Sequence, residues 1–499
     1  MKSIFWLFSL GIIGFLLYFY GLDGQYYMDD FGLVFEPLNS NPFYYFIHKK
    51  YDNDIFYRPL ENLFLALVQK YFGLNTIPLH LTQLSIHILF SWVIFFVIGR
   101  LGFSKFQAML GSLFMIVSQT NVVPVLSNDT LSQVGGTFFG CISVWLLYSC
   151  FLNSKTRKPG FKKTINYQTK VFSILAFIIS LLFKESSVSF IPLLLVIIIL
   201  INLEIKNYNL LIKKTIFEIS PYLIVTVLYI IIRLLIGASL PNFDSNSNLP
   251  SHYKYQISIN IIKNIVMFLF AALIPTSSVT TFTAFKNREY VNFCIIVITS
   301  FLFLALIAYG LWRSNRRGTI SVLVVFAIIN FFPMAMMNQV SEHQLYNSIP
   351  FISILVGIGL GKQLELSKVS WAKQGLVAAL VGLLFVSNAT AVPTKALFMK
   401  ENGERATMLL IQIQPYVYKL PKNGKLLLLN PPSNQVEYSV FLLKGFNVLR
   451  EDGLQRIKKV SGRNDLMMKI IEISDVEQFK NTNNSLILSL NRETVQIYQ

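Results

Sequence analysis

Charged residues are scarce in this sequence. They make up 14% of the 499 residues, whereas a soluble globular protein carries about 25%. Hydrophobic residues reach 54%, and many of them form solid runs long enough to cross a bilayer. This composition excludes an ordinary soluble enzyme and a disordered protein. Solid runs also exclude a β-barrel porin, whose strands alternate polar and apolar residues. The sequence therefore predicts an all-α polytopic membrane protein with about 11–12 transmembrane helices.

Cysteine is rarer still, with three residues, and internal repeats and low-complexity tracts are lacking. Cys141, Cys150 and Cys294 lie in apolar segments without the spacing of metal ligands. They therefore indicate neither a zinc site nor a redox compartment. The net charge of +18 comes largely from short basic loops between apolar runs. Such loops follow the positive-inside rule of membrane proteins and do not indicate nucleic acid as a partner.

The basic loops set the predicted topology. They lie around Arg100, across 153–170, and around Lys206, Arg313 and Lys362, and we place all five in the cytoplasm. The expected location is a bacterial inner membrane, with the active site on the extracytoplasmic face.

Eleven apolar runs qualify as spans. The run 258–275 is a twelfth candidate, but a crossing there would move the basic residues near 313 to the outer face. We therefore expect a re-entrant or interfacial segment at that position. The predicted spans are 4–20, 77–99, 106–119, 131–152, 171–183, 188–203, 217–237, 291–312, 319–337, 346–361 and 374–391.

The chain divides into two predicted domains. Residues 1–395 form the transmembrane domain, which includes a long first extracytoplasmic loop at 21–76. Residues 396–499 lack a long apolar run and are long enough for a small extracytoplasmic α/β or α+β domain. Its β-like stretches are Lys425–Leu429, Tyr438–Leu443, Ser485–Leu490 and Thr494–Tyr498.

Two adjacent carboxylates, Asp29 and Asp30, lie just beyond the first predicted span. A carboxylate at the membrane surface suits a general base. The alternative is a solvated acidic turn that helps to keep the loop outside.

Further polar groups fall on the same predicted face. Ionisable groups at membrane depth are costly and usually line a cavity or pathway. Three of these residues have an alternative, purely structural explanation. Lys184 and Glu185 could form a structural ion pair, and the Arg233 side chain could snorkel to the headgroups. His80 and His87 favour helix–helix hydrogen bonds over ligation. The candidate groups are Asp129, Lys184, Glu185, Arg233, Glu342, His343 and Tyr346, together with Arg58 in the first loop.

Acids and cations on one face of a lipid-embedded protein fit a particular reaction. A carboxylate would deprotonate an acceptor hydroxyl, and cations would hold the phosphate that leaves a lipid-linked sugar. If the groups share a site, Asp29 or Asp30, Arg58, Lys184 and Glu342 should converge within about 15 Å, a distance typical of one substrate pocket.

Five motifs in order resemble the GT-C glycosyltransferase superfamily, and the protein O-mannosyltransferase-like members in particular. They are YMDDFGLV, FYRPLENLFLALVQKYFGLNTIPLHLTQLSIHILF, LLFKESSVSFIPLLL, YIIIRLLIG and SEHQLYNSIPF, spread over about residues 1–360. His343 stands where the family pattern often has arginine, and no tetratricopeptide repeats follow.

The resemblance implies inverting transfer of a sugar from a polyprenyl-phosphate donor to a hydroxyl acceptor on a protein, a lipid or a cell-envelope glycan. Asp30, or else Asp29, would be the base. Arg58, Lys184 and Arg233 would bind the phosphate, and Glu185, Glu342 and Tyr346 would shape the sugar site. Some family members need Mg²⁺ or Mn²⁺ and others do not, and one acidic pair supplies too few ligands to decide.

Two other functions stay open. A lipid-linked-saccharide flippase or another transporter would place its essential groups in the middle of the bilayer, and transporters tend to contain repeats. A polysaccharide polymerase or ligase shares the transferase chemistry, so the residues do not separate it from the first hypothesis.

Overall fold

The structure is a computed structural model. It describes residues 2–27, 30–31, 41–50, 56–155, 167–203, 205–239, 257–276, 280–281, 284–285, 287–337, 342–367, 370–429, 449–471, 473–480, 484–490 and 494–498. Asp29 and the predicted strand Tyr438–Leu443 lie outside the described residues.

The regular elements are numbered in chain order. The helices are α1 Lys2–Tyr18, α2 Pro59–Phe72, α3 Ile77–Arg100, α4 Lys105–Val117, α5 Val122–Leu126, α6 Leu131–Lys155, α7 Tyr167–Phe183, α8 Phe190–Asn202, α9 Tyr208–Leu235, α10 Asn260–Leu273, α11 Tyr290–Trp312, α12 Arg317–Ala335, α13 Ile349–Ser367, α14 Trp371–Lys419, α15 Arg450–Val460 and α16 Val476–Lys480. The strands are β1 Lys425–Leu429, β2 Met467–Ile471, β3 Ser485–Leu490 and β4 Val495–Ile497. Single 3₁₀ turns at Gln119–Asn121, Glu185–Ser189 and Glu342–Asn347 interrupt the helices close to the predicted site.

Within the described chain, 9 helical segments are long and apolar enough to cross a membrane. Helix α4 and the segment Gln119–Leu126 form a further span that is bent by 45°. Helix α7 has 17 residues and is about 26 Å long, slightly short for a hydrocarbon core of about 30 Å. These elements coincide with the eleven predicted spans, so a multi-pass, predominantly helical membrane protein is confirmed.

Helix α10 occupies the twelfth apolar run. Its 14 residues extend about 21 Å, less than the thickness of the hydrocarbon core. Its Asn264 amide donates to the backbone carbonyls of Ala335 and Met337, both at 2.9 Å. The helix is thereby tied to the end of α12, as expected for a re-entrant or interfacial segment.

Close backbone contact joins α4 and α13 in the bundle. A Cβ atom on Gly357 would lie 2.5 Å from the Cα atom of Gly111. The absence of both side chains therefore allows these two helices to approach each other. Large buried residues such as Phe90, Phe114 and Phe351 fill the surrounding core.

Helix α14 is the longest element, with 49 residues. At 1.5 Å per residue it extends about 73 Å, more than twice the thickness of a hydrocarbon core. It runs without a break through residue 395, where the domain boundary is predicted. Its second half therefore leaves the bundle and carries the C-terminal region.

The C-terminal residues form a four-stranded sheet in the order β2-β1-β3-β4, in which β1 pairs in parallel with β2 and β3. Strand β4 is antiparallel to β3. Leucines of β1 and β3 pack against Leu409 and Ile413 of α14 and against Leu454 of α15. The sheet agrees with the predicted stretches at 425–429, 485–490 and 494–498, whereas the edge strand β2 was missed.

Candidate active site

Asp30 lies at the junction of the first loop and the segment after α5. It is only 2% exposed. The side-chain amide of Asn128 donates to Asp30 Oδ2 at 2.9 Å, and the backbone N–H of Tyr27 donates to the same oxygen at 3.4 Å. The predicted carboxylate is therefore held in place by a segment about one hundred residues away in the sequence, and it is not a solvated acidic turn.

The loop around Asp30 is anchored by the C-terminal domain. Tyr27 and Phe31 are buried in one apolar core with Leu409, Ile413 and Leu454. Because these two aromatic residues flank Asp30, the sheet domain helps to set the position of the carboxylate.

Tyr26 sits beside this loop with its hydroxyl protonated over the whole physiological range. Burial and, to a lesser extent, the Asp30 carboxylate raise the pKa of Tyr26 to about 12, although Arg456 opposes this shift. The phenol can therefore donate a hydrogen bond next to the acid.

Arg58, Glu185 and Arg233 form a second group, as the sequence predicted that they would share a face. Arg58 donates from Nε and Nη2 to the two carboxylate oxygens of Glu185, at 3.0 and 2.9 Å. Arg58 also lies 3.6 Å from Glu61 and stacks over the ring of Phe56 at 4.1 Å. A bidentate pair of this kind fixes both orientation and position.

Arg233 approaches the same carboxylate from α9. Its Nη1 atom is 3.9 Å from Glu185 Oε2. Its Nε and Nη2 atoms donate to the carbonyl of Ser239, at 2.9 and 2.6 Å. The guanidinium is therefore buried in the protein and does not snorkel to the headgroups.

Lys184 and the next residue, Glu185, bond to different partners. Lys184 donates to the side-chain carbonyl of Gln133, and the Gln133 amide donates in turn to Asn347. Arg58, Glu185 and Asp129 act electrostatically on its ammonium group. The ion pairs of Glu185 are with the arginines, and Lys184 is bonded to a neutral amide.

Asp129 is partly exposed at the turn before α6. Its Oδ1 atom accepts a hydrogen bond from Ser127 at 2.6 Å. Its carboxylate acts electrostatically on the ammonium group of Lys184.

Glu342 forms an ion pair with Lys395 of α14, and neither side chain is exposed. Lys395 also donates to the carbonyl of Gln119 at 3.3 Å. Sequence reasoning missed Lys395. The available signal was a single lysine within the apolar run AVPTKALFM, directly after the last predicted span.

The turn at 342–347 contains two further predicted residues, His343 and Tyr346, which lie in different surroundings. The hydroxyl of Tyr346 is 2.9 Å from His87 Nδ1, and both side chains are buried. His343 is partly buried beside Glu342. Nδ1 of His80 is 2.8 Å from the carbonyl oxygen of Leu22, so His80 and His87 each bond to another segment of the bundle.

The stretch 128–133 bonds to groups from three separate outer segments. Asn128 bonds to Asp30, Ser132 bonds to Arg58 and Glu61, and Gln133 bonds to Lys184. Six consecutive residues span at most about 20 Å when fully extended. Residues 128–133 thus connect Asp30, Arg58 and Lys184. Their convergence with Glu342 within about 15 Å remains a prediction.

The sequence did not single out three residues here. They are Gln133 in the stretch itself and its bonding partners Glu61 and Asn347. Glu61 lies one helical turn after Arg58 in the motif YRPLE, so the i, i+3 spacing could have identified it. In the part of the chain that the structure describes, no group of three or more His, Cys, Asp or Glu residues is arranged to hold a metal ion.

The fold can be compared with known structures. No protein-family model and no curated protein matches the sequence. ArnT from Cupriavidus metallidurans in the apo state matches with a TM-score of 0.53 and 13% identity, covering 98% of this chain and 93% of ArnT. The oligosaccharyltransferase of Archaeoglobus fulgidus in its apo form matches with a TM-score of 0.50 and 10% identity, covering 93% of this chain and 64% of the archaeal enzyme. Both neighbours are GT-C proteins.

The chain has a GT-C fold. This confirms the fold expected from the five motifs. Asp30 after α1, Lys184 after α7 and Asn347 in the turn at 342–347 each bond to the stretch 128–133.

Proposed function

We propose that this protein is a glycosyltransferase. It moves a sugar from a polyprenyl-phosphate donor to a hydroxyl acceptor on the extracytoplasmic face of a bacterial inner membrane. The observation that carries this proposal is the stretch 128–133, which bonds to Asp30 through Asn128 and to the partly buried cations Arg58 and Lys184 through Ser132 and Gln133, within a GT-C fold.

The buried charges support a site for an anionic ligand. Charged groups at membrane depth are expensive, and proteins retain them mainly for function. Arg58 is engaged by Glu185, and Arg233 by the carbonyl of Ser239. Lys184, by contrast, bonds to the neutral amide of Gln133. Lys184 can therefore turn to a phosphate without breaking an ion pair, and we assign it the main contact with the leaving group.

The reaction is a single displacement. The acceptor oxygen attacks the anomeric carbon while the bond from that carbon to the phosphate oxygen breaks. The hydroxyl proton passes to Asp30 or Asp29, and polyprenyl phosphate leaves with the bonding electrons. Attack opposite the leaving group inverts the anomeric centre. Lys184, Arg58 and Arg233 stabilise the negative charge that develops on the phosphate.

One observation favours the transporter hypothesis. Helix α4 and the segment Gln119–Leu126 are bent by 45°, and discontinuous helices line the substrate paths of many transporters. In this chain the break supplies the backbone carbonyl of Gln119 to Lys395. It therefore has a structural use that does not require transport.

The test is turnover of undecaprenyl-phosphate sugars, mannose first, by purified protein in nanodiscs. We expect the wild type to release undecaprenyl phosphate. Either Asp30→Asn or Asp29→Asn should lower the rate about 10²–10⁴-fold, the usual contribution of a general base, with donor binding retained. Lys184→Gln should instead weaken binding of undecaprenyl phosphate.

Two matched controls accompany these variants. Glu289→Gln removes an exposed carboxylate at the start of α11, and Lys263→Gln removes an exposed ammonium group on α10. Both should keep wild-type turnover. Retention of activity by both aspartate variants would refute the assignment of the base. Transfer of intact labelled donor across a vesicle bilayer, without release of its phosphate, would establish the transporter instead. Repeating the assay with EDTA and then with Mg²⁺ or Mn²⁺ decides the metal requirement.

A further inference from the structure

A cleft of about 500 Å³ lies between the first loop, the start of α3, the outer half of α14 and α15. It is separate from the cations at Arg58 and Lys184. Its volume falls within the range of about 300–1,000 Å³ that is usual for small-molecule sites. The two predicted domains both contribute walls to it.

One part of the cleft is rich in neutral polar groups. Gln25, Asn75, Thr76, Thr407 and Gln414 line it. The Thr407 hydroxyl donates to the Gln25 side-chain carbonyl at 2.5 Å. Side-chain amides and hydroxyls can each donate and accept hydrogen bonds. Such a lining suits a ligand with several hydroxyl groups, which is the chemistry of a saccharide.

The other part of the cleft is apolar and open. Leu74 is 52%, Ile411 62% and Val460 59% exposed, although all three line the cleft. Ile77 continues this surface at the first turn of α3, which crosses the membrane. An apolar surface that begins at the end of a transmembrane helix is placed to receive a lipid chain.

The aromatic residues next to Leu74 extend the apolar surface. Tyr71 and Phe72, at the end of α2, are 69% and 55% exposed. Aromatic side chains are enriched at the membrane–water interface. The mouth of the cleft near Leu74 is therefore expected to lie at the level of the lipid headgroups.

The cleft also borders the loop that carries the predicted base. Phe31, which directly follows Asp30 in the chain, lines it. Tyr26 lines it as well and is electrostatically coupled to the Asp30 carboxylate. A hydroxyl group held in the cleft would therefore lie next to the acidic loop.

We propose that this cleft binds the acceptor and that the acceptor is a glycolipid. The saccharide head group lies among Gln25, Thr407 and Gln414, and the lipid chain leaves over Leu74 and Ile77 into the bilayer. This proposal rests on the proposed transferase, because the sugar hydroxyl of the glycolipid supplies the attacking oxygen and gives its proton to the aspartate. A peptide or a soluble glycan would not use the apolar mouth.

Photoaffinity labelling tests binding without any turnover. The full-length protein in nanodiscs is exposed to diazirine-bearing dodecyl glycosides with hexose or N-acetylhexosamine head groups, and the labelled peptides are mapped. We expect saturable labelling within 71–77 and 407–414. Dodecyl glycosides should compete at least tenfold better than methyl glycosides with the same head groups or than serine-containing peptides.

Tryptophan substitutions that fill the cleft test the site, and one on the same helix outside the cleft is the control. Gln414→Trp and Thr407→Trp should lower labelling at least tenfold. Met408→Trp should not, because Met408 is exposed on the same helix and does not line the cleft. Unchanged size-exclusion profiles and Tm values would show that the variants fold.

Three outcomes would overturn the glycolipid proposal. They are equal competition by methyl glycosides, preferential competition by peptides, and the absence of saturable labelling with every head group. The labelling experiment contains no donor. Its failure would therefore reject the glycolipid site without affecting the turnover assay, in which undecaprenyl phosphate is released. Conversely, labelling without any donor turnover would retain the lipid site and reject the transferase.

Discussion

Glu342 and Lys395 show how single residues determine this site. Their side chains are fully buried and come from two elements that are 53 residues apart. A buried ion pair adds little stability compared with well-packed apolar residues, but loss of one partner leaves an uncompensated charge. The pair therefore ties the 342–347 turn to α14. We propose that Glu342 positions this turn, and its contact with the sugar stays a prediction.

Substitution of each partner should reveal this role. Lys395→Met alone should destabilise the protein by about 3–5 kcal/mol, because it leaves Glu342 buried and unpaired. The double variant Glu342→Gln, Lys395→Met should recover most of that loss. Lys400→Met, which breaks a largely exposed pair with Asp23, should cost about 1 kcal/mol or less. Thermal unfolding of the wild type, these three variants and Glu342→Gln alone, all in one detergent, measures these differences, and additive effects of the two buried substitutions would exclude coupling.

Helix α14 is the element that links the two domains. Its first half belongs to the bundle, where Val392 and Ala396 pack against α5 and against Tyr18 of α1. Its second half carries the core of the sheet domain. Between them, Gly403 lets the first loop approach, since a Cβ atom there would lie 2.5 Å from the carbonyl oxygen of Gln25. The position of Asp30 therefore depends on this one helix.

Phe31→Ala tests that dependence. Phe31 is buried in the core that joins the loop to the sheet domain, and loss of a buried phenylalanine typically costs about 3–5 kcal/mol. We expect faster proteolysis of the C-terminal domain and at least a tenfold loss of sugar transfer, with binding of undecaprenyl phosphate preserved. Phe43→Ala is the control, because Phe43 is in the same loop and is largely exposed. Equal proteolysis of the two variants would show that Phe31 does not anchor the loop.

At the scale of the whole molecule, the membrane spans were predictable and the long-range pairings were not. A bilayer forces each span to be a run of apolar residues, so composition alone locates it. The lone lysine at 395 and the i, i+3 spacing of Glu61 from Arg58 do not name the residues that these side chains bond to, because Glu342 and Ser132 come from other segments. The edge strand β2 was missed because only Ile471 of its five residues is buried and the other four alternate between exposed and partly buried positions. A short pattern of this kind is a weak signal.

Contacts between distant segments also constrain the topology. Tyr27 and Phe31 follow the first span and pack with the sheet domain, which follows the last. The two segments therefore lie on one side, and the chain must cross the membrane an even number of times between them. The bent span at 105–126, α7 and eight further apolar helices of the described chain give ten crossings. A crossing by α10 would make eleven, so the contacts favour a re-entrant or interfacial α10.

This parity makes a prediction about sidedness. Asn315, between α11 and α12, and Lys422, just after α14, are separated by three spans and are both exposed. They should therefore face opposite sides, with Asn315 in the cytoplasm because arginines surround it. In a variant without native cysteines, Lys422→Cys should react with a membrane-impermeant maleimide in intact spheroplasts. Asn315→Cys should react only after permeabilisation. The reverse pattern would place Asp30 and the sheet domain in the cytoplasm, and it would remove the extracytoplasmic transferase from consideration whatever the chemistry of its site.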